Sequence, residues 1–87
     1  MSYEVILSRN ALKFLKKLPP ADRSRIKDAL LKLSQNPWFT HYKKLRGYPF
    51  YRIRVGDYRV IYSVDENSKT VCVVRIGKRD EVYRNIG

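Results

Sequence analysis

Two runs of alternating residues, Phe50-Tyr51-Arg52-Ile53-Arg54-Val55 and Tyr58-Arg59-Val60-Ile61-Tyr62-Ser63-Val64, flank Gly56-Asp57. A Gly-X pair between such runs specifies a two-residue hairpin with a type II′ turn, because glycine accepts the positive φ that the first central position needs. The turn sets the register: Val55 faces Tyr58, Arg54 faces Arg59, Ile53 faces Val60 and Arg52 faces Ile61. Side chains alternate between the faces of a sheet. Tyr51, Ile53, Val55, Tyr58, Val60, Tyr62 and Val64 therefore share one face. Arg52, Arg54 and Arg59 share the other with Phe50, Ile61 and Ser63. Like charges directly opposite one another destabilise a sheet. The Arg54–Arg59 pair thus asks for a compensating reason, and an anionic ligand supplies one.

The rest of the chain must cover this hairpin. Residues 3–7 read as a short first strand, and Ser8 or Asn10 can cap the helix that follows. Ala11, Leu12, Leu15 and Leu18 recur at helical spacing beside Phe14, with Lys13, Lys16 and Lys17 on the wet side. Pro19-Pro20 breaks that helix, and Pro20 can open the next, with Asp22 near its positive end. Ile26, Ala29, Leu30 and Leu33 form one apolar stripe, which Asn36-Pro37 stops. Residues 9–18 and 20–35 are expected to form a helical hairpin whose apolar side needs a sheet. Residues 37–49 read as a connector, with a short extended piece over 42–46. In it Trp38 and Phe39 read as core plugs, with base stacking as the alternative. Residues 65–69 form a polar turn. Thr70-Val71-Cys72-Val73-Val74-Arg75-Ile76 reads as a strand buried on both faces and ended by Gly77. The expected fold is α+β in the order β-α-α-β-β-β. A small antiparallel-rich sheet carries the helical hairpin on one face, and a short turn or helix closes the chain. Residues 1–87 make one domain.

Nineteen Lys and Arg against eight Asp and Glu leave a formal charge of +11. A domain this basic is expected to meet a polyanion: nucleic acid, an anionic membrane or an acidic protein. No apolar run approaches the roughly 18 residues that span a bilayer, and no signal peptide is visible. The single Cys72 cannot form an internal disulfide and reads as a small buried hydrophobe. A reducing cytoplasm is the expected location.

No Gly-rich phosphate loop, Cys/His metal spacing, Ser-His-Asp set or helical His-Glu-x-x-His occurs. One histidine, His41, makes no metal site; it reads as a surface loop residue, with a general base as the alternative. What remains is Arg52, Arg54 and Arg59 on one sheet face, Lys78 and Arg79 at the end of the neighbouring strand, and Tyr83 beyond. Guanidinium groups bind phosphate bidentately and stay charged at any accessible pH. Several on one face would grip a phosphodiester and stabilise a pentacovalent phosphate, with an aromatic at the rim to stack on a base. The alternative is a solvated basic face that keeps the sheet edge from aggregating.

Lys44-Leu45-Arg46-Gly47, Tyr51-Arg52-Ile53-Arg54, Asp57-Tyr58-Arg59-Val60-Ile61-Tyr62, Ile76-Gly77-Lys78-Arg79 and Glu81-Val82-Tyr83, in this order and spacing, resemble the signatures of the RelE/ParE superfamily of toxin–antitoxin toxins. The similarity is to the RelE branch above all and extends over essentially the whole chain. It implies a type II toxin that enters the ribosome and cuts mRNA without a metal or other cofactor. In that reaction the ribose 2′-hydroxyl attacks the adjacent phosphate, leaving a 2′,3′-cyclic phosphate and a 5′-hydroxyl. By resemblance, the basic pair of the first hairpin strand maps to Arg52 and Arg54, and the transition-state arginine to Arg59. The arginine after the last strand maps to Arg79 and the nucleotide-orienting tyrosine to Tyr83, with Lys44, Arg46 and Lys78 as further RNA contacts. The implied partners are an acidic antitoxin that wraps the toxin, the 70S ribosome and mRNA.

One departure stands out. RelE enzymes carry lysines where this chain has Arg52 and Arg54, and arginine is a poor base. Proton abstraction is left to Tyr83, His41, a carboxylate such as Glu81, or ribosomal RNA. Two other functions stand as alternatives: a ParE-like DNA gyrase poison, which shares the fold but by resemblance generally lacks this residue set, and a non-catalytic RNA- or ribosome-binding module.

Overall fold

A computed structural model of the chain describes residues 2–78. Seven elements follow one another: β1 (Glu4–Leu7), α1 (Arg9–Lys17), α2 (Pro20–Gln35), β2 (Lys43–Lys44), β3 (Tyr51–Val55), β4 (Tyr58–Asp65) and β5 (Thr70–Lys78). The fold is α+β. The five strands form one sheet in the order β1-β5-β4-β3-β2. β1 runs parallel to β5, and the other neighbours are antiparallel. β1 thus lies at one edge, and the connector supplies the two-residue β2 at the other, inside the 42–46 piece read from the sequence.

Local chemistry explains the helices. The Ser8 hydroxyl, not Asn10, caps α1: it accepts the Ala11 N–H (3.1 Å) and donates to the Val74 carbonyl (2.8 Å). One side chain thereby closes a helix end and ties it to β5. α1 ends at Lys17, one residue short of expectation, with Leu18 as its C-cap. Pro20 opens α2, where a missing N–H costs nothing. Ile26, Ala29, Leu30 and Leu33 are all buried. They pack with Ala11 and Leu15 of α1 against Ile53, Val60, Tyr62, Val71, Val73 and Ile76 of the sheet, and Trp38 and Phe39 join that core.

The 50–64 hairpin has the expected register, with Arg54 opposite Arg59 and Ile53 opposite Val60. Gly56 takes φ +60°, as the first central residue of a type II′ turn must.

β5 departs from expectation. It is not buried on both faces: Cys72 and Arg75 are only half-buried. Nor does Gly77 end it, since the strand runs on to Lys78 and Gly77 pairs with Arg59. The cause is a register shift. Ile61 pairs with Arg75, yet Tyr62 pairs with Val73, so Val74 is an extra residue opposite the Ile61/Tyr62 step. A bulge of this kind reverses the side-chain parity of the strand beyond it. Val71 and Val73 face the helices before the bulge and Ile76 after it, while Arg75 turns to the other side. Cys72, opposite Ser63, lies on that open side and is not the fully buried hydrophobe expected. The short closing turn or helix falls outside the described residues.

Candidate functional site

The helices cover one face of the sheet and leave the other to the arginines. Two adjacent cross-strand rows define that open face. The first runs Arg54–Arg59–Gly77 and the second Lys43–Arg52–Ile61–Arg75. Directly opposed residues have Cβ atoms about 5 Å apart, and same-face rows lie about 7 Å apart along a strand. Lys43, Arg52, Arg54, Arg59 and Arg75 therefore converge from four strands on a patch the size of one or two nucleotides.

Burial separates their roles. Arg54 is exposed, whereas Arg52, Arg59 and Arg75 are half-buried with their Nε atoms buried. Arg59 Nε has no hydrogen-bond partner among the described residues, and its Nη1 reaches the Tyr58 carbonyl only at 3.4 Å. A buried cationic donor without a partner is costly, and an incoming phosphate would remove that cost. Ile61, fully buried, lies between Arg52 and Arg75 in the register, where the aliphatic stems of arginine suit an apolar neighbour. Among the described residues, the strand carboxylates of this face, Glu4 and Asp65, stand at the row of Thr70, far from Arg54 and Arg59. Asp65 is occupied there: N–H donors of Ser68 and Asn67 hold its carboxyl below the usual carboxylate range.

The connector walls one side of the patch. Tyr62 donates its hydroxyl to the Pro37 carbonyl (2.8 Å). The Trp38 ring lies 4.9 Å from both Tyr42 and Tyr51. Trp38 and Phe39 N–H groups bond to the Asn36 side chain and carbonyl (3.0 and 3.1 Å). This anchoring sets Thr40 and His41 beside β3, where with Arg52 and Arg54 they line a pocket of about 260 Å³.

Not every expected site residue meets the patch. Lys44 stands opposite Tyr51 and Lys78 opposite Tyr58, both register positions of the helix-covered face. Arg46 is exposed in the turn between β2 and β3. Arg79, Tyr83 and Glu81 lie outside the described residues. Conversely, Arg75 belongs to the face although nothing in the sequence reading singled it out. Its only signal was a cation inside an otherwise apolar run. Lys43, in the extended piece of the connector, is the lysine that pairs with Arg52. Among the described residues no group of three or more His, Cys, Asp or Glu side chains is placed to hold a metal ion, and no helix is long and apolar enough to cross a membrane.

The chain is similar to toxins of toxin–antitoxin systems. The family described as "ParE toxin of type II toxin-antitoxin system, parDE" matches residues 5–83. The Escherichia coli protein named mRNA interferase toxin RelE is 34% identical, over 95% of this chain and 92% of its own length. Toxin RelE3 of Methanocaldococcus jannaschii is 33% identical, over 92% of this chain and 94% of its own. Among solved structures, the archaeal RelE–RelB complex of Pyrococcus horikoshii superposes with a TM-score of 0.81 at 33% identity, covering 91% of this chain and 97% of the other. The E. coli RelBE toxin–antitoxin complex gives 0.78 at 31% identity, covering 90% and 98%. The chain belongs to the RelE/ParE superfamily and is a type II toxin of the RelE family.

Proposed function

We propose that this toxin is a ribosome-dependent mRNA endonuclease that lays its arginine face against the message in the decoding site. The 2′-hydroxyl of one nucleotide attacks the adjacent phosphate, and the products carry a 2′,3′-cyclic phosphate and a 5′-hydroxyl. The observation that carries this reading is the convergence of Arg52, Arg54 and Arg59 on one rigid sheet face. Arg59, with a buried donor, is suited to the charge that grows on the phosphoryl oxygens in the transition state. Arg52 and Arg54 hold the backbone on either side and align the attacking hydroxyl. Arg79, the residue after β5, and Tyr83, four residues further along the sequence, are assigned the second transition-state contact and the stacking of the nucleotide. The relative named as an mRNA interferase supports the same activity.

Two partners follow. Ribosomal RNA attracts a +11 protein through counterion release, so binding should weaken steeply with salt. The solved RelE–RelB complexes support an antitoxin, here an acidic one that neutralises the basic surface.

The test is toeprinting of mRNA on programmed ribosomes. Wild type should cut within the decoding site. Arg59→Ala should cut about 10²–10³-fold more slowly and still bind antitoxin. Equal rates for the two would remove Arg59 from the site. Because the matching family carries the ParE description, a gyrase poison is the second reading. Gyrase-dependent DNA breaks without mRNA cuts would select it.

A further inference from the structure

Every reading of this site as a ribonuclease must name the group that takes the proton of the attacking 2′-hydroxyl. The guanidinium groups of the arginine face cannot, being protonated at any accessible pH. Resting on the endonuclease reading, we propose that His41 is the general base, held over the substrate-binding arginines by the anchored connector.

Two independent features bring His41 there. The first is the pocket, whose lining is Thr40, His41, Arg52 and Arg54. The second is the register. Lys43 pairs with Arg52 and Lys44 with Tyr51, so the connector enters β2 beside Arg52 two residues after His41. Alternation gives His41 the same face as Lys43, which is the arginine face. The segment is held at both ends. Before His41, Trp38 and Phe39 are packed into the core. After it, Tyr42 lies against Trp38 and Tyr51, with ring centroids 4.9 and 5.8 Å away. His41 itself is exposed, so an RNA strand lying on the arginines meets it directly.

The step balances without a co-reactant. A neutral imidazole nitrogen takes the 2′-hydroxyl proton. The freed electron pair forms the O2′–P bond, and the P–O5′ bond breaks with its pair on O5′, which takes a proton from water. Imidazole is the side chain whose ordinary titration falls between about pH 5 and 8, which suits a base at neutral pH. Among the described residues, the charged groups around it are Arg52 and Arg54 on β3, Lys43 on β2, and across Thr40 the α2 residues Arg25, Asp28 and Lys32.

The experiment measures single-turnover mRNA cleavage on programmed ribosomes from about pH 5.5 to 8.5, for wild type, His41→Gln and His41→Ala. Wild type should speed up as pH rises and then level off. His41→Gln should lose about 10²–10⁴-fold in rate and with it that rising limb, and free imidazole should restore part of the activity of His41→Ala. A wild type that cuts alongside a His41→Gln that cuts equally fast, or with the same pH profile, overturns the assignment alone. A wild type that makes no cut overturns the endonuclease reading, and the assignment with it. Unchanged thermal melting of both variants, expected for an exposed residue, separates loss of the base from loss of the fold.

Discussion

Arg54 and Arg59 stand directly opposite each other across β3 and β4, and they differ in depth: Arg54 is exposed, while Arg59 is half-buried with its Nε sequestered. Two cations in this relation weaken the hairpin that carries them. The fold accepts that weakness at the point where an anion would relieve it. The site is therefore built in tension, with the deeper arginine fixed and the shallower one free to follow a ligand.

Arg54→Thr should accordingly make the protein more stable while making it a poorer binder of RNA. Removing the opposed charge is worth about 0.2–1 kcal/mol, and threonine suits a strand. Thermal melts at low and high salt check this. The gain should shrink with salt as the repulsion is screened, and inorganic phosphate should raise the melting temperature of wild type more than that of the variant. A variant that melts below wild type at low salt would show that the pair is not repulsive.

Tyr62 is the buried anchor of the connector, and its hydroxyl satisfies the Pro37 carbonyl at 2.8 Å. Tyr62→Phe leaves that carbonyl without its donor and should cost about 1–3 kcal/mol in denaturant unfolding. A pH effect accompanies it. Burial pushes the Tyr62 phenol well above its ordinary value, so the folded state holds the proton more tightly than the unfolded chain. The resulting stability is fully present below the ordinary phenol range near pH 10 and is lost as pH rises from there toward the folded value. Tyr62→Phe should lack this alkaline limb, read from stability measured between about pH 9 and 11.

Asp65 shows the opposite sign. N–H groups of Ser68 and Asn67 favour its charged form and lower its pKa. Its contribution is present above the ordinary carboxylate value near 3.9 and fades as pH falls through the lower folded value. Asp65→Asn keeps an acceptor for the turn but removes the titration. The acid side of the stability profile should be flatter in the variant than in wild type when chemical unfolding is followed from about pH 6 to 2.

The hairpin was legible because a glycine turn dictates register, and register dictates face. Arg52, Arg54 and Arg59 could be assembled on one side from the residues alone. The helices were legible for a similar reason, since Pro19-Pro20 and Asn36-Pro37 punctuate two apolar stripes. β5 was not. Counting by twos from Val71 and Val73 sends Arg75 into the core, and only the bulge at Val74 turns it out to join Arg52. A bulge depends on what the partner strand offers, which local sequence does not state. Lys44 and Lys78 stand at register positions of the other face, because an odd step along a strand carries a side chain across the sheet. His41 was visible throughout, yet its placement depends on Trp38 and Tyr62 meeting across 24 residues of chain.

The parallel pairing of β1 with β5 has a consequence for how the toxin comes into being. Glu4–Leu7 finds its partner in Thr70–Val73, so β1 must wait for β5 before it can join the sheet. Contacts so distant along the chain slow folding, and a nascent chain emerges N-terminus first. A chain without β5 has neither Arg75 nor a partner for β1, whereas Arg52, Arg54 and Arg59 already share one hairpin. Completion of the five-strand sheet thus falls to β5, the strand that pairs with both β1 and β4.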